Sequence, residues 1–116
     1  MAISAGDLRF RVGFFQRALQ SDGYGNTQSE FPDDPEFTVS AAIVPKLGGE
    51  SIQAARLVGR KHVNITVRSS GVTRMVSESW KARDMRSGVD YNIRSIIDPD
   101  GKRQWIEMLC EEGVAV

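Results

Sequence analysis

Apolar and polar residues alternate in successive stretches of the chain, and a period of two is that of a strand with one face buried. Leu8, Phe10, Val12 and Phe14 alternate with Arg9, Arg11 and Gly13. Phe37, Val39, Ala41 and Ile43 repeat the pattern and stop at Pro45. Val63, Ile65 and Val67, separated by Asn64 and Thr66, form the cleanest case. Tyr91, Ile93, Ser95 and Ile97 predict a further strand, and Gln104 to Cys110 predict the last. Asp98-Pro99-Asp100-Gly101 between those two is a strong turn sequence, so they should pair as a hairpin. Val72 to Val76 reads as one more short strand or an extended edge.

The connections differ in kind. Residues 19–36 begin with the turn formers of Ser21 to Asn26 and stay polar and proline-marked, which predicts a long exposed loop. Leu47-Gly48-Gly49 breaks the chain, and residues 50–58 fit a short helix with Glu50 near its positive N-terminal end. Ile52, Ala55 and Val58 give that helix a narrow apolar stripe, and Gly59 is a plausible stop. Five to six strands with one short helix point to an all-β fold, a small antiparallel barrel. So small a sheet gains most by burying both of its edges. A length of 116 residues suits a single domain over 1–116 with a core that needs no staples.

Composition changes this picture only through charge. The net charge is zero, so the chain as a whole has no general attraction to nucleic acid or an acidic membrane. The charges are nevertheless segregated. Residues 18–45 contain Asp22, Glu30, Asp33, Asp34 and Glu36 and no base, whereas residues 46–103 contain twelve bases against six acids. A neutral chain with an acidic loop and a basic body can pair head to tail with its own copy, a heterologous contact that closes into a ring when the rotation fits.

Most catalytic and metal chemistry is excluded. Cys110 is the only cysteine, so there is no intramolecular disulfide, and its apolar surroundings mark it as an inert thiol. His62 is the only histidine. With no carboxylate at a readable spacing it reads as a surface or edge-strand residue, and a tetrahedral Cys/His metal site is ruled out. Asp22, Tyr24 and Asn26 lack the glycine and terminal glutamate of a calcium loop, and Gly48-Gly49 lacks the lysine of a phosphate loop. No Gly-x-Ser-x-Gly elbow is present. We therefore expect no enzyme activity and no cofactor. The N-terminus lacks the basic flank and apolar stretch of a signal peptide, and no apolar run is long enough to span a bilayer, so a cytoplasmic site or a particle assembled there is expected. Trp105 is expected in the core or at a barrel end. Trp80 suits the core or a protein interface equally.

Gly6-Asp7-Leu8-Arg9-Phe10-Arg11-Val12 followed by Gln16-Arg17 resembles the opening of phage head–tail joining proteins, also called head-closure, stopper or connector proteins. The resemblance continues in order through Asp22-Gly23-Tyr24-Gly25, Ala41-Ala42-Ile43-Val44-Pro45, Gly48-Gly49-Glu50 with Ala54, and Ile65-Thr66-Val67-Arg68. It ends with Tyr91-Asn92-Ile93, Asp98 to Gly101 and Trp105 to Cys110. Phe37 stands where the family commonly has tryptophan, and Trp80 to Gly88 is unusually charged.

The resemblance implies a β-barrel ring subunit in the neck of a phage or a gene-transfer agent, with on the order of six or twelve copies, six favoured. The portal–adaptor protein would lie above it, a tail terminator or tail tube protein below, and packaged double-stranded DNA in its channel. It also implies that residues 46–62 project toward the channel, with Lys46, Gly48, Gly49, Glu50, Arg56, Arg60 and Lys61 as the DNA-facing set. Asp22, Glu30, Asp33, Asp34, Glu36 and Trp80 are the candidate protein-interface residues. The rival readings are a tail-terminator-type ring subunit and a single-strand nucleic-acid-binding barrel. The second needs stacking aromatics beside bases, whereas Phe10, Phe14 and Tyr91 fall on apolar strand faces.

Overall fold

The structure, a computed structural model, describes residues 5–21, 27–46, 49–57, 59, 61–98, 101 and 104–112; at 5, 18–21, 27–30, 51, 52, 55 and 56 only the backbone is described. Six strands close into an antiparallel barrel: β1 (Phe10–Phe15), β4 (Phe37–Pro45), β5 (Lys61–Arg68), β8 (Trp105–Glu112), β7 (Asp90–Ile97) and β6 (Lys81–Asp84), in that order around the wall. Closure leaves no barrel strand with an unpaired edge. The inward side chains are those the alternation selects: Val12, Phe14, Ala41, Val63, Ile65, Val67, Ile93, Met108 and Cys110 are all buried. One helix, α1 (Glu50–Leu57), lies in the β4–β5 connection.

Three elements depart from the sequence reading. The expected loop over 19–36 contains a hairpin of its own, β2 (Ala18–Ser21) paired with β3 (Thr27–Glu30), forming a sheet separate from the barrel. Its polar sequence carries no periodic apolar signal, so the pattern could not reveal it. Residues 73–75 form a 3-10 turn and not a strand. Ser70 and Thr73 impose it: Ser70 N donates to Thr73 Oγ1 at 2.8 Å, Thr73 N donates to Ser70 Oγ at 3.2 Å, and Thr73 Oγ1 donates to the Arg68 carbonyl at 2.7 Å. Local side-chain bonds of this kind outcompete a strand ladder. β6 has no alternation to announce it, because only Ala82 in Lys81–Asp84 is apolar; its pairing with β1 and β7 defines it.

Within β7 the register shifts between Ile93 and Ser95. The extra residue reverses the facing of the side chains beyond it. Ile96 therefore packs on the core while Ile97 is exposed, the opposite of a continuous alternation. The chain from Ser69 to Trp80 crosses one end of the barrel from β5 to β6 and plugs it with Thr73, Val76 and Trp80. Trp80 is 4% exposed and its ring lies 6.1 Å from that of Phe37, so its side chain belongs to the core.

Candidate assembly surfaces

The two ends of β4 separate the charged candidates. Glu36 precedes the strand and Lys46 follows it. Nine residues at about 3.3 Å each put the acidic segment and the Lys46 rim about 30 Å apart.

At the Lys46 rim the ladder continues one step beyond β4, with Lys46 N donating to the His62 carbonyl at 2.9 Å. The chain thus leaves and re-enters the barrel side by side. Lys46 and Lys61 are exposed there, as is Glu50 in the first turn of α1. Gly49 (φ 92°) precedes the helix, and its carbonyl accepts the first helical bond from Gln53 N; Gly59 (φ 82°) follows it. Both conformations are left-handed and suit glycine, so the helix is bounded by residues chosen for their backbone. Arg56 lies in α1, described by its backbone alone, and Gly48 and Arg60 lie outside the described residues. A cavity of about 450 Å3 adjoins the rim, with Phe10, Ile43, Lys46, Lys61, Val63 and Tyr91 among its lining. Phe10 is partly exposed here and not committed to the core as its alternation suggests. Burial, and then the Glu112 and Asp84 carboxylates, raise the Tyr91 hydroxyl above its ordinary pKa.

The acidic segment is held against the wall of β1 by a close approach. A Cβ on Gly13 would stand 3.1 Å from Pro35 Cβ and 2.7 Å from Met85 Sδ, so only glycine leaves room for the proline. Glu36 N donates to the Phe14 carbonyl at 2.8 Å. These contacts display Asp33, Asp34 and Glu36 in solvent over the β1–β6 side. Glu30 ends β3, described by its backbone, and Asp22 lies outside the described residues. Asp33, Asp34 and Glu36 are thus exposed on one segment, whereas the Trp80 side chain is internal and no part of that surface.

Sequence reasoning missed two groups on the outer wall. The first is built on Phe15, fully buried although it points away from the barrel interior. Lys81 Nζ lies 4.7 Å from its ring centroid and 5.0 Å from that of Phe31, the Arg83 guanidinium lies 4.7 Å from Phe15, and Arg17 lies 4.4 Å from Phe31. Asp90 accepts from Arg83 Nε at 2.6 Å and sits 3.6 Å from Lys81 Nζ. Its hydrogen bond holds the Arg83 guanidinium above the ordinary pKa, helped by the nearby charges of Asp90 and Asp33 against the opposing effect of burial. The visible signal was the doubled Phe14-Phe15, which breaks the alternation.

The second group surrounds buried Glu111, which accepts from Arg94 Nε at 2.9 Å and lies 3.5 Å from His62 Nε2. His62 therefore has a carboxylate neighbour, contrary to expectation. The β5–β8 register sets His62 opposite Glu111, a pairing that no spacing along the chain discloses.

The described residues form a closed barrel plugged at one end, with charged groups at its rims and on its outer wall. Among the described residues no group of His, Cys, Asp or Glu could hold a metal ion, and no helix is long and apolar enough to cross a membrane. The family model for phage head completion proteins matches residues 3–113, and the chain belongs to that family of structural phage head components. The fold is similar to the solution structure of protein SF1141 from Shigella flexneri 2a, at 22% identity over 98% of this chain and 100% of that one, with a TM-score of 0.70. It is also similar to a chain from the virion of a native gene transfer agent particle, at 17% identity over 90% of this chain and 94% of that one, with a TM-score of 0.59. No curated protein matches the chain.

Proposed function

We propose that this head completion protein forms a ring in the neck of a phage or gene-transfer-agent particle. There it closes the DNA-filled head below the portal and adaptor and offers a platform on which the tail docks. The observation that carries this reading, beyond family membership, is the separation of charge along the barrel. Lys46 and Lys61 stand at one rim and Asp33, Asp34 and Glu36 stand beside the other. A channel component contacts phosphates without reading bases, which calls for cations on the lumen side. Carboxylates would repel the same phosphates at short range.

Residues 46–62 are the DNA-facing segment on this reading, and Lys46, Arg56, Arg60 and Lys61 are its cations. The left-handed glycines at 49 and 59 support a swing of the helix between them from closed to open positions, with Lys46 and Lys61 fixed on the barrel. Replacing all four bases with glutamine should leave the barrel folded; Lys46 and Lys61 are exposed, and exposed charges contribute little to folding. Filled heads carrying that variant should lose DNA before tails join. Full DNA retention in tailless heads would refute the electrostatic role, and a particle map with residues 46–62 on the outer wall would refute their placement.

A further inference from the structure

The plugged end of the barrel carries a second surface. A cavity of about 320 Å3 opens between Ser69, Arg74, Ile96, Ile97, Asp98 and Trp105. A second opening beside it shares Ser69 and Trp105 and adds Arg68 and Gln104. Three large apolar side chains lie exposed on the elements around it: Met75 at 62%, Ile97 at 54% and Val72 at 45%. Two guanidiniums flank the groove. Arg68 stacks over the Trp105 ring at 5.4 Å, and Arg74 is held by Nε donating to Ser69 Oγ at 2.8 Å. Asp98 is a carboxylate in the lining.

The position of this groove selects its occupant. In the strand order β1-β4-β5-β8-β7-β6, β8 is three steps from β1 and β5 is three steps from β6. The groove on β5, β8 and β7 therefore lies across the barrel from the β1–β6 wall, where Asp33, Asp34 and Glu36 are displayed. Both surfaces are at the same end of the barrel, since Phe37 begins β4 where Arg68 ends β5 and Trp105 begins β8. Complementary patches at one level on opposite sides bring copies together laterally, which is the geometry that closes into a ring. Pairing the acidic segment with Lys46 and Lys61, about 30 Å away along the strand, would instead stack copies along the barrel axis.

We propose that the Asp33–Glu36 segment of one copy docks on the Arg68–Arg74–Trp105 groove of the next. The carboxylates meet the two guanidiniums, and the contact covers Val72, Met75 and Ile97. The proposal rests on the ring reading and names the contact that would build it. It also leaves Lys46 and Lys61 unconsumed at the other rim.

Cysteine cross-linking in assembled particles tests it. A chain carrying both Asp34→Cys and Met75→Cys, treated with a short bismaleimide, should produce a ladder of covalent multimers of this protein, and neither single variant should. Cys110 is buried and does not compete for the reagent. Charge exchange provides a second measurement. Asp34→Arg alone and Arg74→Asp alone should each lower incorporation into particles by about five-fold or more, and the two together should restore it to within about two-fold. Rings visible in particles without the ladder and without rescue would overturn this contact and leave the ring reading standing. Cross-links to a different particle protein would overturn it too. A single copy per particle would overturn the ring reading itself.

Discussion

Replacing Asp90 with asparagine should destabilise the barrel by about 2 kcal/mol, and the reason lies in Lys81. The Lys81 side chain is 9% exposed, and Asp90, at 3.6 Å, is the carboxylate that pairs with it. Asp90 also accepts from Arg83 Nε at 2.6 Å and Nη2 at 3.4 Å. Asparagine keeps the shape and one acceptor oxygen but removes the charge, leaving the ammonium, among the described residues, with a neutral oxygen and the faces of Phe15 and Phe31. Removing one partner of a fully buried pair costs about 3–5 kcal/mol. Asp90 is 35% exposed, so water reaches the site and reduces the loss to about 2 kcal/mol. The remaining cation–π contacts retain about 1 kcal/mol of attraction for the orphaned charge. For a chain of this size, about 4 °C of melting temperature accompanies each kcal/mol, so Tm should fall by about 8 °C. Thermal unfolding followed by circular dichroism measures it. Adding Lys81→Met to Asp90→Asn removes the orphaned charge and should recover more than half of the loss. An unchanged Tm in the single variant, or no recovery in the double one, would refute the argument.

Other positions carry expectations of the same kind. Trp80→Ala should cost about 3–5 kcal/mol, because it empties the plug against Phe37, and urea unfolding would measure the drop. Gly13→Ala should cost about 1–3 kcal/mol, since its Cβ meets the rigid Pro35 ring as well as the movable Met85; limited proteolysis should then cut more readily near residues 33–36. Burial pushes the Cys110 thiol up to about 12 from 9.0, so the thiol should resist alkylating reagents at pH 8 until the barrel is unfolded. Because that folded-state value, like that of Tyr91, is raised, the unfolded chain gives up its protons first. Stability should therefore hold below about pH 9 and fall as pH rises from 9 toward 12, a trend that denaturation at stepped alkaline pH can check.

Much of the fold was legible in the sequence because a strand with one buried face writes itself as a period of two. Val63, Ile65 and Val67 and the apolar residues of the Phe37–Ile43 run pack on the core, and β7 pairs antiparallel with β8 as the turn sequence between them predicts. The helix at Glu50–Leu57 and its glycine boundary were readable for a similar reason, since they depend on neighbours within one or two turns. Tertiary structure alone decided what depends on partners distant in sequence. β6 is a strand because β1 and β7 flank it, although it offers only one apolar side chain. The shift in β7 turns Ile97 out to solvent, and nothing between Tyr91 and Ile97 marks where the extra residue falls. His62 meets Glu111, and Lys81 meets Phe15 and Phe31, through register and packing across tens of residues. The segregation of acids from bases was written along the chain. That the acidic segment and the Arg68–Trp105 groove share one end, on opposite sides, is a consequence of the closed strand order. A linear sequence records which residues are neighbours along the backbone, and closure of the barrel determines which become neighbours in space.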